Sequence, residues 1–147
     1  MATIDILAIE TTGTRDEDQI VEYAMGRYST GKGLTQIEHK IFTPDLDLED
    51  WEEAALNLHH RSGLLEAMLE EGGKPRRIKF GSSNMRIVWQ RAFAKKFIKD
   101  QQMQGAHCAS GFIRLFELFQ GCQITRPSRA PAKVRLIATV LEALEDI

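Results

Sequence analysis

The stretch Ile4-Asp5-Ile6-Leu7-Ala8-Ile9-Glu10-Thr11-Thr12-Gly13 decides how the rest of the chain is read. Apart from Asp5, its first six residues are aliphatic, which predicts a buried strand near the N-terminus. Thr-Thr-Gly ends it, and Gly13 permits a tight turn out of the strand. Residues i and i+2 of a strand share a face. Ile4, Ile6, Ala8 and Glu10 therefore look one way, and Asp5, Leu7 and Ile9 the other. Glu10 is the polar group that matters most, a carboxylate at the exit of a buried strand.

Outward from this strand, a second is expected over Gln19–Ser29 and a third over Thr35–Phe42, closed by Pro44. Gly31-Lys32-Gly33 supplies a hairpin-like loop between them. Three strands in meander order favour antiparallel pairing. The acidic run Asp45–Glu53 leads into a helix carrying Trp51, Ala55, Leu56 and Leu58. A second helix follows Ser62, with Leu64, Leu65, Met68 and Leu69 as its stripe, and Gly72-Gly73 ends it. Ile78–Phe80 reads as a short strand running into Gly81-Ser82-Ser83-Asn84. An amphipathic helix is expected over 85–99, because Met85, Trp89, Phe93 and Phe97 recur every four residues. Phe112–Phe119 reads as a helix stopped by Gly121. Pro131 opens a last helix whose buried stripe is Val134, Ile137, Leu141 and Leu144. Strands alternating with helices in this way predict one α/β sheet flanked by helices, as a single domain over 1–147.

Several pieces together resemble a family. Ala8-Ile9-Glu10-Thr11-Thr12-Gly13 is similar to the first motif, Asp-x-Glu-Thr-x-Gly, of the DnaQ-type 3′–5′ exonucleases and of oligoribonuclease within them. Gln19–Ala24 resembles the family's second strand, and Trp51 with His60-Arg61-Ser62-Gly63-Leu64 its Trp…His-x-x-Ser-Gly-Leu stretch. The resemblance implies a ribonuclease-H-like exonuclease fold, a mixed five-stranded sheet with strands one, four and five parallel. By the same analogy the segment around His107–Ser110 is the fifth strand. The family's chemistry needs clustered carboxylates around two Mg²⁺ ions, and a His as general base. Here Glu10 remains, but Ala8 replaces its acidic partner. No Asp or Glu occurs between Gly73 and Lys99. Lys133-Val134-Arg135 stands where the His is expected, and Ala138 or Thr139 where its Asp is. Asp5 cannot substitute, being on the other face and roughly 17 Å along the strand. Loss of the whole set predicts a catalytically inactive chain with Glu10 as the remnant and no metal or other cofactor. Mg²⁺ or Mn²⁺ would be needed only if a non-standard site were active. The resemblance also implies a possible homodimer.

The 147 residues are 43% hydrophobic and 27% charged, which is the balance of a soluble globular protein. No apolar run approaches a membrane span and no signal peptide opens the sequence, so a cytoplasmic location is expected. Cys108 and Cys122 lack metal or redox spacing and are expected reduced and buried. The net charge of −2 hides an asymmetry. Residues 1–73 hold 16 acids and 5 bases, whereas residues 74–147 hold 5 acids and 14 bases. This split marks either one acidic and one basic surface or charges that mix on folding.

Three functions stay open at this point. The first is a binder of nucleotide or single-stranded RNA or DNA through a basic groove. Its candidate residues are Lys74, Arg76, Arg77 and Lys79, then Arg91, Lys95 and Lys99, then Arg126, Arg129, Lys133 and Arg135. The second is a protein-interaction module, such as a small phage-type inhibitor or adaptor. The third is a 3′–5′ exonuclease with a shifted active site. A basic patch beside Glu10 favours nucleic acid, and an exposed apolar patch favours a protein partner. For His60 a structural hydrogen bond at the helix entry is expected ahead of a metal role. Trp89, Phe93 and Phe97 are expected in the core rather than as a stacking platform for bases. His107, Cys108 and Cys122 lack a fourth zinc ligand at workable spacing.

Overall fold

The computed structural model describes residues 2–76, 78, 85–89 and 106–146. Five strands form one sheet: β1 (Thr3–Thr11), β2 (Ile20–Ser29), β3 (Gly33–Ile41), β4 (Met85–Val88) and β5 (Ala106–Cys108). Their order is β3-β2-β1-β4-β5. β1 pairs antiparallel with β2, and β2 with β3, whereas β4 runs parallel to both β1 and β5. The sheet is therefore mixed and the fold is α/β. Among the described residues the helices are α1 (Glu53–Arg61), α2 (Leu64–Glu71), α3 (Ala109–Gln120) and α4 (Ala130–Glu145). No helix is long and apolar enough to cross a membrane among the described residues.

The period-two alternation of β1 divides the core. Ile4, Ile6 and Ala8 pack with Ile113 of α3 and with Val134, Ile137 and Leu141 of α4. Leu7 faces the opposite side, with Tyr23, Phe42, Ile78 and Val88. A third cluster joins Val21, Ile41, Trp51, Leu64 and Met68, where α1 and α2 meet the end of the sheet. Each aliphatic side chain buried in this way contributes about 1.5–3 kcal/mol. α4 approaches β2 closely because Gly26 has no side chain. A Cβ there would lie 2.6 Å from Val134 Cγ1 and 2.7 Å from Leu34 Cδ1. α3 stops at Gly121, whose φ of 65° suits the left-handed turn that ends the helix.

Some expectations are corrected. Met85–Val88 is a strand, not the first turn of a helix. A spacing of four is also a multiple of two, so Met85 and Trp89 satisfy a strand as well as a helix, and the β-branched Ile87 and Val88 favour the strand. Ile78 is buried but lies outside any strand. The rest of both readings, residues 79–84 and 90–99, lies outside the described residues, and with it Phe93 and Phe97. Trp51 precedes α1, after a short 3₁₀ turn at Leu48–Asp50, and its indole N–H donates to Leu46 O at 3.1 Å. Cys108 and Cys122 form no disulfide, but both are exposed. Cys108 ends an outer strand, and Cys122 follows the end of α3, so neither position is enclosed.

Candidate functional site

Glu10 and Glu22 are direct cross-strand partners on β1 and β2. Both are buried, Glu10 with 5% of its surface exposed and Glu22 with none. Like charges placed opposite each other destabilise a sheet unless something compensates them. The first turn of α4 supplies the compensation. Arg129 and Lys133 are four residues apart, so they project from one side of the helix.

Lys133 Nζ donates to Glu10 Oε2 at 2.6 Å. The ammonium also lies 5.2 Å from the centroid of the Trp89 ring, a cation–π contact at the end of β4. Glu22 is held more completely. Arg129 Nη2 and Nε donate to its Oε2 at 2.7 and 3.0 Å, and the Ala130 N–H donates to Oε1 at 2.9 Å. His39 Nε2 lies 2.7 Å from Oε2. A carboxylate at a helix N-terminus also meets the positive end of the helix dipole.

The two carboxylates titrate apart. Burial pushes Glu10 up to about 7 against the opposing pull of Lys133. Burial also pushes Glu22 up, but Arg129, the Ala130 N–H and His39 outweigh it and hold Glu22 below its ordinary value. His59 of α1 closes the site from the other side. Its Nε2–H donates to Thr11 O at 2.7 Å, and burial holds its pKa below the ordinary imidazole value. The neutral ring then leaves Nδ1 bare, and among the described residues that buried atom has no hydrogen-bond partner.

The turn after β1 is fixed by charge. Arg15 donates to Asp18 through its backbone N–H at 2.6 Å and its Nη2 at 2.8 Å, and Thr12 Oγ1 donates to Asp18 Oδ1 at 2.8 Å. Burial would raise Asp18, but these donors hold it at about 2. Gly13 is needed here, since a Cβ would lie 2.5 Å from Asp18 Oδ2 and 2.6 Å from Glu52 Cγ. Beyond the turn, Glu10, Thr11, Gly13, Glu52, His59 and Lys133 line an open cleft of about 230 Å³.

Among the described residues, no group of three acidic, histidine or cysteine ligand atoms gathers at this cleft. A hard cation needs several open carboxylate oxygens, and the buried carboxylate that faces the cleft, Glu10, already carries an ammonium. Ala8 and Ala138 are both buried in the apolar cluster behind it. Asp47, Glu49 and Asp50 bring carboxylate oxygens within 4.8 Å of one another at the exposed 3₁₀ turn.

The candidate basic residues do not all gather beside Glu10. Lys133 and Arg129 do, but both are engaged by buried acids. Arg126 donates to Glu117 at 2.8 Å, an exposed pair at the end of α3. Lys74 and Arg76 line a different groove, with His39 and Lys40 of β3, and Arg76 lies 3.7 Å from Glu38. Arg135 is exposed on α4. Arg77, Lys79, Arg91, Lys95 and Lys99 lie outside the described residues. His60 is exposed, and the buried structural histidine is its neighbour His59. The sequence reading passed over Glu22, His39 and His59. The available signal was Arg129 with Lys133, two cations four residues apart at the start of the last helix.

Comparison with known proteins adds no assignment: no family model matches the chain, and no curated protein matches it.

Proposed function

We propose that this chain is a ribonuclease-H-like exonuclease fold of the DnaQ type that has given up metal-dependent cutting and acts by binding. The sheet order, with parallel β1, β4 and β5, supports the fold. The observation that carries the function is the buried Lys133 ammonium on Glu10. It supplies the positive charge at a position where a nuclease of this type would need a metal ion. It also occupies the place where a general base would be sought. Ala8 and Ala138, in the apolar cluster behind it, supply no carboxylate that would hold a metal ion and its attacking water.

The test is incubation of purified protein with labelled single-stranded RNA and DNA in Mg²⁺ or Mn²⁺. No shortening is expected. Degradation that disappears in Glu10→Gln would overturn the reading.

Of the two binding classes, a protein partner has a specific observation in its favour. α3 exposes Leu115, Leu118 and Phe119, the last two at 78% and 56%. Among the described residues, the candidate cations beside Glu10 are Arg129 and Lys133, which already neutralise internal acids. Titration of single-stranded RNA at low salt discriminates the two. Binding that falls steeply with salt and is lost in Lys74→Glu/Arg76→Glu/Arg135→Glu would favour nucleic acid.

A further inference from the structure

The chain leaves α2 through a pair of glycines. The Gly72 N–H donates to Met68 O at 2.8 Å and ends the helix. A Cβ on Gly72 would strike Thr43 Oγ1 and Met68 O, so only glycine lets α2 end this close to the end of β3. Gly73 is then pinned beside Phe42. Its N–H donates to Ile41 O at 3.0 Å, and its carbonyl accepts from the Thr43 N–H at 2.8 Å. Residues 74–76 follow outside any strand. Pro75 has no N–H to pair and biases Lys74 toward an extended backbone. A groove of about 490 Å³ is left, lined by His39 and Lys40 on the β3 side and by Glu71, Lys74 and Arg76 on the other.

The groove holds three cations against one carboxylate. Arg129 and Lys133 are engaged by buried acids, and these three are not. Lys40 and Lys74 are exposed, and among the described residues neither has an acid within ion-pair distance. Arg76 lies 3.7 Å from Glu38, but both side chains are more than half exposed. Glu38 also accepts from the Tyr23 hydroxyl at 2.6 Å. An exposed pair of that length contributes little. His39 Nε2 is taken up by Glu22 at 2.7 Å. The positive charge of the groove is therefore available to an outside anion.

We propose that this groove receives a short acidic segment of a protein partner, with Lys40, Lys74 and Arg76 taking its carboxylates. The proposal rests on the reading that the chain acts by binding a protein. The acids of the groove decide against a nucleic-acid strand. Affinity for a phosphate chain comes from the number of phosphates neutralised. Here Glu71 inside the groove and Glu38 beside Arg76 stand among the cations. A DNA backbone offers negative charge and acceptors alone, and both glutamates repel it. A peptide carries carboxylates and backbone N–H donors together. Its carboxylates meet the three cations while its N–H groups meet Glu71 and Glu38, so its charges and donors match the groove in both signs.

The test is fluorescence anisotropy of labelled hexaglutamate with the purified chain at low and moderate salt, beside a single-stranded DNA of the same net charge. The chain's net charge of −2 repels both ligands at long range, so binding reports a local site. Hexaglutamate is expected to bind at low salt, more tightly than the DNA, and to weaken as salt rises. Lys74→Glu/Arg76→Glu should weaken it about tenfold or more with unchanged circular dichroism. Lys32→Glu/Arg114→Glu changes the net charge by the same amount at the β2–β3 turn and on α3, and should leave the affinity near that of wild type. No hexaglutamate binding at low salt, an equal loss in the second pair, or tighter binding of the DNA through Lys74 and Arg76 would overturn the proposal. None of these outcomes bears on the nuclease assay, so the proposal can fail while the reading of the cleft stands.

Discussion

Glu10 holds two opposing conditions at one atom: burial that favours its neutral form and an ammonium that favours its charged form. Removing one partner of such a buried pair leaves the other uncompensated. Lys133→Met should destabilise the fold by about 3–5 kcal/mol, while Glu10→Gln combined with Lys133→Met should recover much of that. Urea unfolding of the two single variants and the double variant measures both. The pH dependence follows from Glu10 standing at about 7, above an ordinary value of 4.5. The folded chain then holds a proton that the unfolded chain has released, so the Glu10 contribution is full below pH 4.5 and declines as pH rises to about 7. His59 has the opposite sign. Its lowered value contributes stability above 6.5 that is lost as pH falls. The stability of Glu10→Gln relative to wild type isolates the first effect. It should shift in the variant's favour between pH 4.5 and 7 and then level off, and a flat difference would refute the assignment.

At the scale of elements, α4 carries most of the organisation. Its first turn neutralises β1 and β2, and its apolar stripe packs on the same two strands. The contact depends on the bare backbone at Gly26, so Gly26→Ala should cost about 1–3 kcal/mol by overpacking Val134 and Leu34. A shift of the urea midpoint at unchanged slope would show it. The stripe itself was legible, because Val134, Ile137 and Leu141 recur at helical spacing and all three are buried. β1 was legible for a similar reason, its alternation assigning Ile4, Ile6 and Ala8 to one face and Leu7 to the other. β4 was not legible. Four residues are too few to show a period, and the aromatic spacing that continues beyond them imposed a helical reading on Met85–Val88. The site was legible only in part. Glu10 stands out in its motif, but the partnership of Glu22 with Arg129 joins residues far apart in sequence and depends on a hairpin register that no local pattern specifies. His59 and His60 are adjacent, and only the rotation of α1 decides which is buried.

For the whole molecule, the acidic first half and the basic second half are partly consumed by each other. Glu10 with Lys133, Glu22 with Arg129, and Glu38 with Arg76 all join the two halves. The charge asymmetry is therefore in part an internal device, and this bears on metal dependence. A ligand that binds only the folded state raises its stability in proportion to the logarithm of its concentration over Kd. With an ammonium fixed on Glu10, melting in EDTA and in millimolar Mg²⁺ should give the same midpoint. The complementary experiment places acids where the chain has alanine, using Ala8→Asp and Ala138→Asp together with Lys133→His. Ala8 and Ala138 are 1% and 4% exposed in the apolar cluster that underlies Glu10. Carboxylates placed there without a cation are buried and unpaired, so the rebuilt chain should melt well below wild type in EDTA. A divalent ion would relieve that penalty, and Mg²⁺ or Mn²⁺ should raise the rebuilt midpoint while leaving wild type unmoved. A Mg²⁺-dependent rise in wild type that vanishes in Glu10→Gln would show that the chain holds a metal despite Lys133. A rebuilt chain that folds but ignores the ion would show that its backbone does not have the geometry of a metal site.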